Sequence, residues 1–290
     1  MSTVSASSVA AVAVAVASVY RDPDESSEVV TQALLNMSAQ VIELGNPGGR
    51  DATTLSGWAR IRLSDYDGWI QVSKLSQAAM VGDLQVAILA LRTSIYAESD
   101  GDVIIGHAYA TTLLPADGKS GDRVKARLPG GAYGWLDAAA VELRPAGEPL
   151  PESGPEGAIS LAQQLLGAPY LWGGVTVEGI DCSGLTQLCC RAAGVTIPRD
   201  ADQQYEGIPY IVERVDLHPG DLIYFAAAGK ITHTALMIDR RCYIHAKGGP
   251  ENRVILTGLE PGEFSYDRRL AGHYAGARRP FARRAVRVLV

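Results

Sequence analysis

Cys182 lies in Ile180-Asp181-Cys182-Ser183-Gly184, where a loop gives way to a helical apolar pattern. A thiol at a helix start meets the positive end of the peptide macrodipole and amides without intrahelical partners. Both favour the thiolate, the form that attacks a carbonyl. Cys189 and Cys190 fall further along the same helix and read as packing residues. A cysteine nucleophile needs a base, and the base needs a partner that orients it. His233 falls in Ile231-Thr-His-Thr-Ala-Leu-Met-Ile238 and His245 in Cys242-Tyr-Ile-His-Ala246. A three-residue loop over Asp239, Arg240 and Arg241 pairs Ile238 with Cys242 and sets Ala235 opposite His245. The two histidines then share one face as diagonal neighbours, about 7–8 Å apart between Cα atoms. A two-residue turn sends one of them to the far side. His107, His218 and His273 have no comparable setting.

Helices are expected over residues 158–166 and 184–193, the second with Leu185, Leu188, Cys189 and Ala192 on one face and Gly194 placed to stop it. Strands follow at 222–225, 231–238 and 242–246, so this part of the chain reads as α+β. The first 143 residues read as all-β, with short alternating runs broken by Gly45-Asn46-Pro47-Gly48-Gly49 and Ser64-Asp65-Tyr66-Asp67-Gly68. Residues 9–19 alternate valine with alanine and read as the first strand. The first charge, Arg21, comes after this run, which argues against a secretory leader and for a chain that stays inside the cell.

A weak repeat is present. Arg62-Leu63 precedes Tyr66-Asp67-Gly68-Trp69-Ile70, and Arg127-Leu128 precedes Tyr133-Gly134-Trp135-Leu136, with spacings that differ by one residue, as a loop insertion produces. Chance similarity is the other reading, since Gly-Trp before an apolar residue commonly begins a strand. Two small β-barrels fit, over 1–80 and 83–143, followed by a stiff linker over 144–155 with four prolines and a further domain over 156–290.

The chain has 290 residues, is 47% hydrophobic and 20% charged, and carries a net charge of −6. That sign disfavours a nucleic-acid partner. Arg278, Arg279, Arg283, Arg284 and Arg287 make a short basic end that reads as solvated. No apolar run reaches the ~20 residues of a membrane helix, so no membrane insertion is expected. Four cysteines are too few for a disulfide framework, in keeping with a reducing compartment.

Taken in order, Tyr170-Leu-Trp172-Gly-Gly174, Asp181-Cys-Ser-Gly184, His218-Pro-Gly-Asp-Leu-Ile-Tyr-Phe225, His233 and His245 resemble the NlpC-type cysteine peptidases of bacterial cell-wall peptides. The resemblance spans about residues 156–283. The β domains resemble the tandem bacterial SH3-like modules of one branch of that family. Enzymes of that branch are γ-D-glutamyl-L-diamino acid endopeptidases acting on peptidoglycan fragments with a free N-terminal L-alanine.

The resemblance implies a multidomain chain, two SH3-like barrels and then an α+β papain-like domain, working without cofactor or metal on murein-derived peptides. Cys182 would be the nucleophile, His233 the general base and acid, and His245 the group that orients His233. The Cys182 amide and the Tyr170 hydroxyl would receive the oxyanion. Asp181 is the first choice to meet the substrate ammonium, with helix capping as its other role. Ser183 and Asp200 match family positions near this pocket, whereas Ala201 replaces a serine often found there. Trp172 either walls the groove or packs inside. Tyr66, with an acidic residue among Asp24, Glu25 and Glu28 (Glu25 or Glu28 favoured), would close the amine end. A cytoplasmic role in wall-peptide recycling is expected, with oligomeric state left open.

Three competing readings stand beside this one. The same thioester could pass its acyl group to an amine, or the scaffold could be a wall-peptide binder that no longer catalyses. Cys182, Cys242, His233 and His245 could instead hold zinc, although their spacing lacks the paired short loops of structural zinc sites.

Overall fold

Residues 9–19 are valine and alanine apart from Ser18 and largely alternate, yet the run forms two strands, β1 (Val9–Val12) and β2 (Val16–Tyr20), rather than the one expected. Other segments satisfy the backbone at the break: Ala13 N–H donates to Lys74 O at 2.8 Å, and Ala15 O accepts from Leu35 N–H at 3.1 Å. The computed structural model describes residues 8–45 and 57–282. The turn at 46–49 and the tail residues Arg283, Arg284 and Arg287 lie outside them.

Two units form, residues 1–150 with 171–179, and residues 151–170 with 180–290. In the first unit β1 and β2 are joined by β3 (Val29–Leu34), β4 (Ser38–Leu44), β5 (Trp58–Arg62), β6 (Asp67–Gln71) and β7 (Leu75–Ser76). A second set contains β8 (Leu84–Ile88), β9 (Arg92–Tyr96), β10 (Ile104–Tyr109), β11 (Leu113–Ser120), β12 (Arg123–Arg127), β13 (Tyr133–Asp137) and β14 (Val141–Pro145). Their orders are β3-β2-β6-β5-β4-β1-β7 and β10-β9-β13-β12-β11-β8-β14, one order stepped by seven strands. Neither closes into a barrel among the described residues.

The repeat extends to side chains and turns. Arg60 faces Trp69 and Trp69 faces Tyr20; Lys125 faces Trp135 and Trp135 faces Tyr96. Arg62 pairs with Asp67 and Arg127 with Tyr133, so the one-residue difference falls in the hairpin loop. Asn36 and Thr111 hold equivalent turns at left-handed φ values of 63° and 71°. Each sheet has its own apolar core, around Val19, Val41, Ile61 and Ile70 in the first and Val86, Leu114, Val124 and Leu136 in the second. A third cluster joins Leu34, Tyr109 and Val175, so the 171–179 segment helps to cover this unit. That segment holds β15 (Val175–Thr176) and the first residue of β16 (Gly179–Ile180).

The second unit holds α1 (Gly154–Gln164), α2 (Cys182–Ala192), α3 (Ala201–Gly207) and α4 (Arg268–Ala271). Its antiparallel sheet contains β17 (Ile211–Val212), β18 (Leu222–Ala227), β19 (Lys230–Met237), β20 (Cys242–Lys247), β21 (Arg253–Gly258) and β22 (Tyr274–Arg278), in the order β17-β22-β18-β19-β20-β21. Helix α2 packs on α1, β19 and β20, and α3 packs on β19. Ile223, Phe225, Ala235, Met237 and Tyr243 form an apolar core on this sheet together with Leu217, Leu259 and Leu270. Helix α2 ends where Gly194 takes φ +82° and Val195 N–H returns to Cys190 O at 2.8 Å. No helix among the described residues is long and apolar enough to cross a membrane.

Candidate active site

The β19–β20 register is the one a three-residue loop dictates, with Leu236 opposite Ile244 and Met237 opposite Tyr243. It places His233 and His245 on one face. Their rings lie 4.9 Å apart at 76°, and His233 Nε2 meets His245 Nδ1 at 2.7 Å. His245 Nε2 continues to Thr257 Oγ1 at 3.0 Å. One proton assignment gives every bond a donor and leaves His233 able to act as a base. His233 Nε2–H donates to His245 Nδ1, His245 Nε2–H donates to Thr257, and His233 Nδ1 is left to accept a proton.

Cys182 is the first residue of α2, as its setting predicts, and is 7% exposed. The Thr234 backbone N–H, next to His233, reaches its sulfur, as does the Ser183 N–H. Burial nonetheless pushes the thiol up to about 12, and the Asp181 charge acts in the same direction. Desolvation, the largest influence here, opposes the thiolate that helix position and the local amides favour. Burial also pushes His233 down to about 4, helped by the Lys247 ammonium and opposed by Asp181 and Asp267. His245, fully buried, is held well below its ordinary value by burial, His233 and Lys247. Burial thus disfavours the charged form of the thiol and of both imidazoles.

This has a consequence for stability. The unfolded chain takes up histidine protons near pH 6.5 (~6.5), before the folded one does, so acid favours unfolding. Stability contributed by His233 is complete above that value and declines as pH falls towards about 4. Water at the partly exposed ring of His233 moderates the decline. The melting temperature is expected to drop across this window, with a shallower slope in His245→Asn. Equal slopes in the two proteins would remove the buried histidines as its cause.

Asp181 caps α2, accepting from Gly184 N–H at 2.6 Å. The capping role is thus realised, and its carboxylate is also held by Arg199, at 3.0 Å to Oδ1 and 2.6 Å to Oδ2. Ser183 is buried and accepts from Arg199 at 2.9 Å. Asp200 sits at the N-terminus of α3, where its carboxylate receives Gln203 Nε2 at 3.4 Å. Tyr170 is half-buried; burial and the neighbouring Cys182 raise its phenol, which keeps the hydroxyl a donor at neutral pH.

Trp172 belongs to the first unit and is 58% exposed, which overturns the buried-packing alternative. Its Nε1–H donates to Glu28 at 2.9 Å, and Arg21 Nε holds the other Glu28 oxygen at 2.7 Å. Glu25 accepts from Gln71, Asp24 accepts from Ser26 N–H at 2.9 Å, and Tyr66 lies partly buried against the first core. Cys242 and His245 are three residues apart on one strand and so point to opposite faces, which separates two of the four groups in the zinc reading.

Sequence reasoning missed Arg199, Gln204, Thr186 and Thr257. Gln204 donates to Ser183 O at 3.1 Å and Pro198 O at 2.9 Å and accepts from Thr186 at 3.0 Å. The one available signal was Asp181 itself, since a buried carboxylate needs a cation.

Residues 167–265 match the NlpC/P60 family, and residues 19–75 match the bacterial dipeptidyl-peptidase Sh3 domain. The gamma-D-glutamyl-L-lysine dipeptidyl-peptidase of Bacillus cereus is 27% identical over 268 residues, covering 88% of this chain and 76% of that protein. Dipeptidyl-peptidase 6 of Lysinibacillus sphaericus is 28% identical over 265 residues, covering 88% and 93%. A crystal structure of an NlpC/P60 family protein from Bacillus cereus matches with a TM-score of 0.79 at 22% identity, covering 95% of this chain and 100% of that one. The fold is shared.

Proposed function

Because the chain carries an NlpC/P60-family cysteine peptidase domain and a bacterial dipeptidyl-peptidase SH3 domain, we propose that it hydrolyses the γ-D-glutamyl-L-diamino acid bond of peptidoglycan-derived peptides with a free N-terminal L-alanine. The supporting observation is the 2.7 Å link between His233 and His245 on the strand pair against which the Cys182 helix packs. The names of the relatives support the bond type. The second seven-stranded set repeats the order of the first and reads as a second SH3-like module. All four cysteines are unpaired, which suits recycling of wall peptides in a reducing cytoplasm.

In this reading His233 Nδ1 takes the thiol proton as sulfur bonds to the γ-carbonyl carbon of D-glutamate. Charge builds on the carbonyl oxygen, where the Cys182 amide and Tyr170 hydroxyl donate. The C–N bond breaks as His233 returns the proton to the leaving amine of the diamino acid. Water then attacks the thioester, again with His233 as base, freeing the γ-carboxylic acid and the thiol. His245 stays neutral and keeps the His233 ring in place.

The test is digestion of L-alanyl-γ-D-glutamyl-L-lysine and its diaminopimelate counterpart, each with a free and an acetylated amine, followed by mass spectrometry. Release of L-alanyl-D-glutamate and the free diamino acid from the unblocked peptides is expected. Equal cleavage of the acetylated peptides, transfer of the dipeptide to an added amine in place of water, or no cleavage at all would each overturn the proposal.

A further inference from the structure

Arg199 is 1% exposed, and its positive charge is matched within the fold. Its guanidinium spans Asp181 Oδ1 and Oδ2 and also reaches Ser183 Oγ at 2.9 Å. Asp181 and Ser183 flank Cys182 in sequence. The loop that carries Arg199 is itself fastened to α2. Gln187 Nε2 donates to Ile197 O at 3.2 Å, and Gln204 bridges Pro198 O to Ser183 O. All of these side chains are buried. They form a polar seam under the first turn of a helix that is otherwise packed with apolar atoms.

We propose that Arg199 is a positioning residue for the nucleophile: it fixes the residues on both sides of Cys182 and offsets the Asp181 charge at the sulfur. This rests on Cys182 being the nucleophile. A carboxylate adjacent to a thiol opposes its ionisation, and a guanidinium locked onto that carboxylate relieves the opposition. The two charges act on Cys182 in these opposite senses. The other groups facing the sulfur are the Ser183 N–H on its own helix, the Thr234 N–H from β19 and the Tyr170 phenol from the preceding loop. His233 is the proposed acceptor of the thiol proton, and His245, Lys247 and Asp267 are charged or titratable groups around that base. A fork-shaped donor suits this place, because lysine can supply the charge but cannot bridge both carboxylate oxygens and the serine at once.

The experiment is iodoacetamide alkylation of Cys182 across pH, mapped by mass spectrometry in a Cys242→Ser background. It needs no substrate, so the proposed bond specificity can fail without affecting the result. Arg199→Gln is expected to slow alkylation about tenfold at a given pH and to move its profile to higher pH. Arg199→Lys, which restores the charge but not the fork, should regain most of the alkylation rate and return the profile towards the parent. Asp181→Asn combined with Arg199→Gln should return the profile towards the parent. That double variant leaves no unpaired buried charge, so, measured against Asp181→Asn alone, it decides the matter if Arg199→Gln does not fold. A parent-like profile in Arg199→Gln, or a double variant as slow as Arg199→Gln, would overturn the role.

Discussion

Cys182→Ala removes peptide hydrolysis by at least about 10⁴-fold while leaving a folded protein. In the proposed mechanism the Cys182 sulfur makes the covalent bond, and the other three cysteines are placed elsewhere. Cys189 and Cys190 are fully buried further along α2, and Cys242 lies on β20. Losing one buried sulfur costs on the order of 1 kcal/mol of packing, within the tolerance of an ordinary domain. Cys182→Ser should fall almost as far, because a hydroxyl is harder still to ionise in the same dry setting. Initial rates on a free-amine tripeptide, together with melting curves, separate chemistry from stability. Turnover within tenfold of the parent in either variant would take the nucleophile role away from Cys182.

The second large effect is expected at His245. Its Nδ1 meets His233 Nε2, accepting in the proton assignment given above, and its other nitrogen is tied to Thr257. Replacement by leucine leaves the His233 Nε2–H without a partner and frees the ring to rotate or change tautomer. The expected loss in kcat is about 10⁴-fold, of the size seen when the orienting member of such a set is removed. His245→Asn should recover part of that loss, since an amide oxygen can accept the same proton, and KM should move little in either variant. Loss confined to KM, or asparagine no better than leucine, would show that His245 does not orient the base.

The histidine pair was legible because loop length sets strand parity, a local rule that tertiary packing seldom overrides. Cys182 at the start of α2 was legible for a similar reason, the change from loop to helical periodicity. The burial that opposes its ionisation was not, because strands far along the chain supply it. Arg199 was hidden by a general expectation, that arginines lie at the surface, and by its separation from Asp181. The break inside residues 9–19 left no mark because valine and alanine alternate straight through it, from Val12 to Ala17, and no glycine or proline punctuates the turn. The repeat was visible only at its tryptophans. The shared strand order emerges from pairings between segments with little sequence in common.

Residues 171–179 count with the first unit although they are synthesised after the start of the second. Severing the chain in its proline-rich stretch therefore does not yield two finished pieces. A fragment stopping at Leu150 lacks Val175, the cover over Leu34 and Tyr109, and also the partner that Trp172 supplies to Glu28. During synthesis the earlier half must wait for a stretch of the later half to emerge before its last apolar patch is sealed. Shuffling of these modules by recombination is correspondingly constrained, because an exchanged front half must still fit a nine-residue loop encoded downstream.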